Sequence, residues 1–127
     1  MVQVYKQPES PKKAASLEGQ IDELLLADVF QALSDPTRNR LLSCLAKCGR
    51  ACSVSELAEC CSVDLSVVSR HLSILSDAGI TESEKQGRAV FYKVKFERVS
   101  SMLRGLAKAF EDCEKGSHTL IKIRSNK

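Results

Sequence analysis

The sequence predicts a mostly helical domain that carries one small β-hairpin. Apolar residues recur at helical spacing from Ile21 onward, and again in a final segment from about Glu97 to Glu114. Between them, "ITESEKQGRAVFYKV" alternates on both sides of Gln86-Gly87, which is typical of two strands joined by a tight turn. A chain of 127 residues suffices for one compact domain with a modest core.

The first two predicted helices are defined by periodicity and by capping residues. The first contains an apolar stripe of Ile21, Leu24, Leu25, Val29 and Leu33. The second opens in "SDPTRNRLLSCLAKCG", where Asp35 is a good N-cap and Pro36 fits the first helical position. Gly49 is a typical stop, so we expect this helix to end there.

Two further helices follow at short spacing. "SVSELAECC" begins the third, since Ser53 and Glu56 have the spacing of a capping box. Asp64 can cap the fourth, and Gly79 stands where a left-handed C-cap belongs. Only "SVD" separates the third helix from the fourth. Helix, helix, short helix, helix, hairpin and helix is the order of a winged helix-turn-helix.

The predicted domain occupies residues 19–114. Residues 1–18 contain two prolines and several lysines with few large apolar residues, which indicates a flexible N-terminal arm. Residues 115–127 form a predicted basic tail. We find neither an apolar run long enough for a membrane span nor the apolar stretch of a signal peptide, so we expect a cytoplasmic protein whose thiols stay reduced.

The fourth helix, "SVVSRHLSILSDAG", has the composition of a DNA recognition helix. Val68, Leu72 and Leu75 would hold it to the domain. The opposite face carries Ser66, Val67, Ser69, Arg70 and Ser73. Short hydrogen-bond donors such as serine let the helix backbone approach a major groove, and arginine can reach base edges or phosphates. Because the first turns contain no acid, they do not repel the phosphates. His71 either donates to a phosphate or braces the helix from behind.

The hairpin tip adds Lys85, Gln86 and Arg88 around a glycine. Two cations beside a tight turn suit a phosphate backbone or a minor groove, as in a DNA-binding wing. The simpler interpretation is that these cations keep the hairpin soluble. The net charge of +3 is compatible with nucleic acid without requiring it.

The segments "ALSDPTRNRLLSCL", "SVSELAE", "VSRHLSILSDAGI" and "KQGRAVFYKV" resemble the ArsR/SmtB family of bacterial transcriptional repressors. The resemblance runs from about Ile21 to Cys113. It implies a homodimer that binds double-stranded operator DNA without a cofactor and is released by an inducer. It also implies dimerisation through the first and last helices. Independently of the resemblance, the last helix carries an apolar stripe that predicts a dimer interface: Val99, Leu103, Leu106 and Phe110.

The resemblance also implies ligand positions at which this family senses metals. The arsenic-type cysteines correspond here to Ser53 and Ser55, and serine is a poor ligand for a thiophilic ion. The first zinc-type positions on the last helix fall near Phe96 and Arg98, which cannot ligate, although Asp112 remains. The arsenic-type site is therefore expected to be absent, and the zinc-type site keeps Asp112 without its partners.

Six cysteines remain, and five of them lie between Cys44 and Cys61. Soft thiolates bind ions such as As(III), so we predict a soft metal or metalloid inducer. Cys60 and Cys61 are the first choice of ligands, because we expect Cys60 to be the most exposed of the cluster. The alternative set is Cys44, Cys48 and Cys52, of which the first two share a helical face. Each cysteine taken singly also fits as a small core residue.

Two other functions stay open from the sequence. The same thiols could switch DNA binding by redox chemistry, through a disulfide or polysulfide. A winged-helix module that binds proteins is more remote, because Arg70, His71 and Lys85 do not suit an apolar or acidic recognition surface. An enzyme is not expected, since the sequence shows neither a glycine-rich phosphate loop nor an acid–histidine constellation.

Overall fold

The computed structural model describes residues 3–6, 8 and 10–123, with side chains at residue 8 and residues 10–116. The elements in this part are β1 (Gln3–Lys6), α1 (Pro11–Ala15), β2 (Leu17–Gly19), α2 (Gln20–Leu24), α3 (Ala27–Ala32), α4 (Pro36–Cys48), β3 (Cys52–Ser53), α5 (Val54–Ala58), α6 (Leu65–Asp77), β4 (Thr81–Gln86), β5 (Ala89–Val94), α7 (Phe96–Glu114) and β6 (Ser117–Ile123). They fall into two compact units, one of Ala27–Val99 and one that joins the chain up to Leu26 with the chain from Ser100 onward.

The unit Ala27–Val99 is a winged helix-turn-helix. Its helices α4, α5 and α6 pack on one another, and β3, β5 and β4 form an antiparallel sheet in that order. The core is built from side chains that are at most 3 % exposed, among them Val29, Leu41, Leu45, Leu57, Val68, Leu72, Leu75 and Ile80. The predicted fold class, mostly helical with one small hairpin, is therefore confirmed.

The ends of α4 are set by the predicted caps. Asp35 Oδ1 accepts hydrogen bonds from the backbone N–H groups of Thr37 at 2.8 Å and Arg38 at 3.0 Å. Pro36 occupies the first turn, where no donor is needed. At the other end Gly49 has a φ of 68°, and its N–H donates to Leu45 O at 3.3 Å. The left-handed residue stops the helix without the penalty a side chain would bring.

The recognition-type helix α6 also stops at a glycine. Gly79 has a φ of 79°, and a Cβ there would lie 2.9 Å from the Arg98 guanidinium. The left-handed backbone is what favours glycine here, because the Arg98 guanidinium ends a flexible, exposed side chain that can move aside. Immediately after it, Ile80 and Thr81 are buried and lead into β4.

The first predicted helix is two helices in the structure. α2 ends at Leu24 and α3 begins at Ala27, with Leu25 leaving helical geometry at φ −83° and ψ 71°. The continuous stripe that predicted one helix is shared between two units, since α2 belongs to the terminal unit and α3 to the winged unit. Periodicity cannot reveal that its apolar residues pack into different cores.

The terminal unit differs from the predicted arm and tail. Strands β1, β6 and β2 form an antiparallel sheet in that order, and α1 lies within the predicted arm. These strands were not predicted, because each pairs with a segment about a hundred residues away in the sequence. In the same unit a Cβ on Gly105 would lie 3.5 Å from Leu24, so α2 packs against α7. Residues 1–2, 7, 9 and 124–127 of the arm and tail lie outside the described residues.

Candidate nucleic-acid interface

Helix α6 is anchored by one apolar face. Val68, Leu72 and Leu75 are fully buried, as their spacing predicts. Asp64 occupies the N-cap, where its backbone carbonyl accepts from Val67 N and Val68 N at 3.0 Å. Its side chain makes no capping hydrogen bond, and the first turn of the helix contains no acid. Within the first turn that follows this cap, α6 therefore carries no carboxylate that would oppose a phosphate backbone.

The opposite face of α6 is open to solvent. Four of its predicted DNA-contacting residues are exposed, namely Ser66, Ser69, Arg70 and Ser73. Val67 is half-buried at the margin of this face. The fixed apolar side and the exposed polar side give α6 the arrangement that a major-groove helix needs.

His71 lies between these two faces, where it meets a residue that the sequence did not single out. Arg38 Nη1 is 3.2 Å from His71 Nδ1. Arg38 also donates through Nε to Ala32 O at 2.8 Å and through Nη2 to Gln31 O at 3.3 Å. One guanidinium on α4 therefore joins the end of α3 to the middle of α6. The only sequence signal for it was its place in the first turn after the Asp35 cap.

The wing presents the three predicted polar side chains at its tip. Lys85, Gln86 and Arg88 are exposed, and Gln86 pairs with Ala89 across a turn in which Gly87 has a φ of 63°. Within the residues that the structure describes, Arg70, Lys85 and Arg88 form no ion pair. Their charges are thus not already neutralised by a neighbouring carboxylate and remain available to phosphates.

Of the two serines at the arsenic-type positions, Ser53 caps a helix and Ser55 is exposed. Ser53 Oγ accepts from Glu56 N at 3.1 Å, and Glu56 Oε1 accepts from Ser53 N at 2.9 Å, which completes the predicted capping box. Glu56 also pairs with Arg50 at 2.8 Å. The Arg50 hydrogen bond, with help from the Ser53 N–H, lowers the pKa of Glu56 to about 2. Ser55 is exposed on the same short helix.

The six cysteines are all free, and their exposure differs from the prediction. Cys48 is the exposed thiol of the cluster, whereas Cys60 is half-buried, so the expectation that Cys60 would be the most exposed is wrong. The reason is local. Helix α5 ends at Ala58, and Cys60 lies in the turn that follows, where its backbone N–H donates to Leu57 O at 3.0 Å. Cys52 is buried, and Cys61 is half-buried.

Two of these thiols have raised pKa values. A hydrogen bond between the side chains of Cys44 and Cys60, together with burial, raises the pKa of Cys60 to about 11. Burial is the chief cause that raises the pKa of Cys52, whose Sγ–H donates to Arg50 O at 3.6 Å. Among the residues described, no group of three or more His, Cys, Asp or Glu side chains is arranged to hold a metal ion.

The predicted interface stripe on α7 is only partly exposed. Leu103 and Phe110 are 44 % and 53 % exposed, whereas Leu106 is buried within its own chain. Val99 is half-buried in the winged unit. Leu106 is therefore a core residue of the single chain, and Leu103 and Phe110 are the members of the stripe that remain accessible to a partner. No helix in the described ranges is both long and apolar enough to cross a bilayer.

Comparison with known proteins connects this geometry to a family. Residues 33–84 match the model of a helix-turn-helix domain. The chain is 35 % identical to an uncharacterized HTH-type transcriptional regulator of Methanocaldococcus jannaschii, over 61 % of this chain and 86 % of that protein. It is 34 % identical to the arsenic resistance transcriptional regulator ArsR1 of Pseudomonas putida, over 66 % of this chain and 67 % of that one.

The solved structures agree with these sequence relatives. An ArsR-like transcriptional regulator from Rhodococcus sp. RHA1 superposes with a TM-score of 0.63 at 32 % identity, over 73 % of this chain and 84 % of that one. Proteins of this kind are DNA-binding regulators and not enzymes. The helix-turn-helix match includes α6, and the Pseudomonas and Rhodococcus proteins are more than 30 % identical to this chain over at least two thirds of their own length. The chain therefore belongs to the ArsR family of winged helix-turn-helix transcriptional regulators.

Proposed function

We propose that the protein is a homodimeric, cytoplasmic repressor that binds an operator duplex through α6 and the wing. The observation that supports this most directly is the exposed polar face of α6, which has no acid in its first turn and carries Arg70 at its centre. Ser66, Ser69 and Ser73 would let the helix backbone approach the base edges, with Val67 at the margin. Lys85, Gln86 and Arg88 would contact the flanking backbone, so that affinity depends on salt.

The proposed dimer rests on apolar side chains that the single chain leaves in water. Leu103 and Phe110 on α7 are exposed, and so are Leu25 and Leu26 after α2. All four belong to the terminal unit. Burying such a side chain against a partner gains about 1.5–3 kcal/mol. A second copy would also supply a second α6, which a two-fold symmetric operator requires.

Release from DNA is proposed to follow binding of a thiophilic metal or metalloid ion to the cysteines. Soft thiolates favour such ions, and the related regulator of Pseudomonas putida bears arsenic resistance in its name. The first choice of ligands is Cys60 with Cys61 at the end of the segment before α6, and the alternative set is Cys44, Cys48 and Cys52. The five free thiols between Cys44 and Cys61 also support a second candidate, in which an oxidant joins two of them as a disulfide.

The test of this function starts from a random duplex library, because the protein itself can select its operator. The selected duplex should bind tightly at moderate salt, with affinity falling steeply as salt rises. Adding As(III), Sb(III), Hg(II), Cd(II), Zn(II) or peroxide to that complex then separates the two switches. Recovery of no preferred sequence would contradict the repressor, and release by peroxide alone would favour the redox switch.

A further inference from the structure

Two apolar side chains are exposed where the chain enters α6. Val63 is 38 % exposed, and Leu65, the first residue of the helix, is 52 % exposed. Both belong to the winged unit, whereas the exposed side chains of the proposed dimer belong to the terminal unit. Val68 and Leu72 follow Leu65 at helical spacing and are fully buried, so the core ends before the first residue of α6. The single chain therefore leaves a leucine in water at the beginning of its recognition-type helix.

Leu65 adjoins the face that the proposed function places in a major groove. Residues four apart are neighbours on a helix surface, so Leu65 stands beside Ser69, and Ser66 follows it directly in the chain. Both serines are exposed. In a helix-turn-helix protein the first residues of the recognition helix contact base edges. A helical side chain also leans toward the amino-terminal end of its helix, which favours contact between Leu65 and whatever lies beyond that end.

The residue beside Leu65 indicates a base edge rather than a phosphate as the neighbour of this end of the helix. Asp64 is exposed, and its side chain makes no capping hydrogen bond to α6. A carboxylate is repelled by phosphates, but at a base edge it can accept a hydrogen bond from the amino group of cytosine. Leucine has neither a donor nor an acceptor in its side chain. The apolar group that a major groove offers to such a residue is the C5 methyl of thymine.

We propose that Leu65 recognises a thymine in each half of the operator through contact with its C5 methyl group. This contact rests on the proposed function, since it requires α6 to enter a major groove. It adds to the polar contacts of Ser66, Ser69 and Arg70 a residue that responds to a methyl group and to no hydrogen bond. Because the contact involves no charge, it releases no counterion and leaves the salt dependence of DNA binding unchanged.

The test replaces the thymines of the selected duplex by deoxyuridine, one position at a time. Uracil lacks only the C5 methyl group and keeps the hydrogen-bonding edge of thymine. One such replacement in a half-site should lower wild-type affinity about 4-fold in fluorescence anisotropy, as the burial of one methyl-sized group predicts. The salt dependence should be the same for both duplexes. Leu65→Ala should bind the thymine duplex more weakly than wild type does, and it should not distinguish thymine from uracil at that position.

Two further variants separate the methyl contact from a general effect on the helix. Leu65→Gln keeps a long side chain but replaces its apolar end, so it should also lose the preference for thymine. Ile74→Ala is the matched control, because Ile74 is an apolar residue of the same helix that is 36 % exposed and lies toward its other end. This control should keep the 4-fold preference of wild type. Circular dichroism confirms that each variant is folded.

A preference for thymine that persists in both Leu65 variants would overturn the proposal. So would a wild-type protein that binds every uracil duplex as tightly as the selected one. Monomers of Leu65→Ala in sedimentation velocity, with the preference for thymine unchanged, would assign Leu65 to a protein contact and would equally overturn it. Failure of the wild-type protein to select any duplex would instead remove the proposed repressor, on which the contact depends.

Discussion

Arg38 fixes which nitrogen of His71 carries the proton. Arg38 Nη1 lies 3.2 Å from His71 Nδ1, and a guanidinium can only donate. Nδ1 must therefore accept, which places the hydrogen of the neutral ring on Nε2. The two interpretations of His71 that the sequence left open are compatible, since a ring braced through Nδ1 keeps an Nε2–H donor for a phosphate.

Removing the Arg38 side chain should loosen the support of α6. Arg38→Ala leaves the carbonyls of Ala32 and Gln31 without a charged donor and frees the His71 ring. We expect a loss of about 1–3 kcal/mol in the free energy of unfolding, measured with urea, together with weaker operator binding. Arg40→Ala, at an exposed position of the same helix, is the control and should change little. Equal stability of the two variants would show that Arg38 does not brace α6.

Replacing Arg70 or Lys85 by alanine should weaken DNA binding in different ways. Arg70→Ala should cost about 1–3 kcal/mol of affinity for the selected operator, because it removes a contact to a base edge or phosphate. Lys85→Ala should weaken binding to all duplexes about equally and flatten the salt dependence, measured by fluorescence anisotropy. Lys108→Ala is the matched control, since its charge is already paired with Asp112 at 3.2 Å. Wild-type affinity in both test variants would mean that the assigned face is wrong.

Dimerisation should depend on Leu103 and Phe110 rather than on Leu106. A charge at either exposed position would be forced into the proposed interface, so Leu103→Glu and Phe110→Glu should give folded monomers in sedimentation velocity. Leu106→Glu should instead unfold the chain, because Leu106 is buried within it. A folded dimer from the Leu103→Glu, Phe110→Glu double variant would place the interface elsewhere.

Acid should destabilise the winged unit partly through Glu56. Its pKa is depressed from an ordinary 4.5 to about 2, first by the Arg50 hydrogen bond and next by the Ser53 N–H. A depressed folded pKa contributes stability that is complete above the unfolded value and is lost as pH falls from about 4.5 to 2. Glu56→Gln should therefore show a flatter loss of stability in this window, measured by urea unfolding at each pH. The same slope in Glu56→Gln, wild type and the exposed control Glu59→Gln would contradict this.

Features governed by neighbouring residues were predictable from the sequence. The Asp35 cap, the Ser53–Glu56 capping box and the glycine stops at Gly49 and Gly79 involve groups only a few residues apart. The buried stripe of α6 likewise follows from helical periodicity, which places Val68 and Leu72 on one side. These local rules were enough to locate the recognition-type helix and the wing.

Features that depend on distant partners were not predictable. The Arg38–His71 contact spans 33 residues, and the β1–β6 pairing spans most of the chain. The exposure of Cys60 depends on the turn that follows α5, so its half-burial could not be predicted from spacing. The break after Leu24 was hidden because the apolar pattern continues across two units.

The central claim, that DNA is bound by α6 and the wing, is tested most directly by mapping amide signals of ¹⁵N-labelled protein as the selected duplex is added. The account predicts that the largest shifts fall on residues 66–73 and 85–88, with small changes in α1 and in the turn at Lys115. Arg70→Ala should reduce the shifts in α6 at matched DNA concentration. Large shifts confined to α7 or α1, with α6 and the wing unchanged, would contradict the claim.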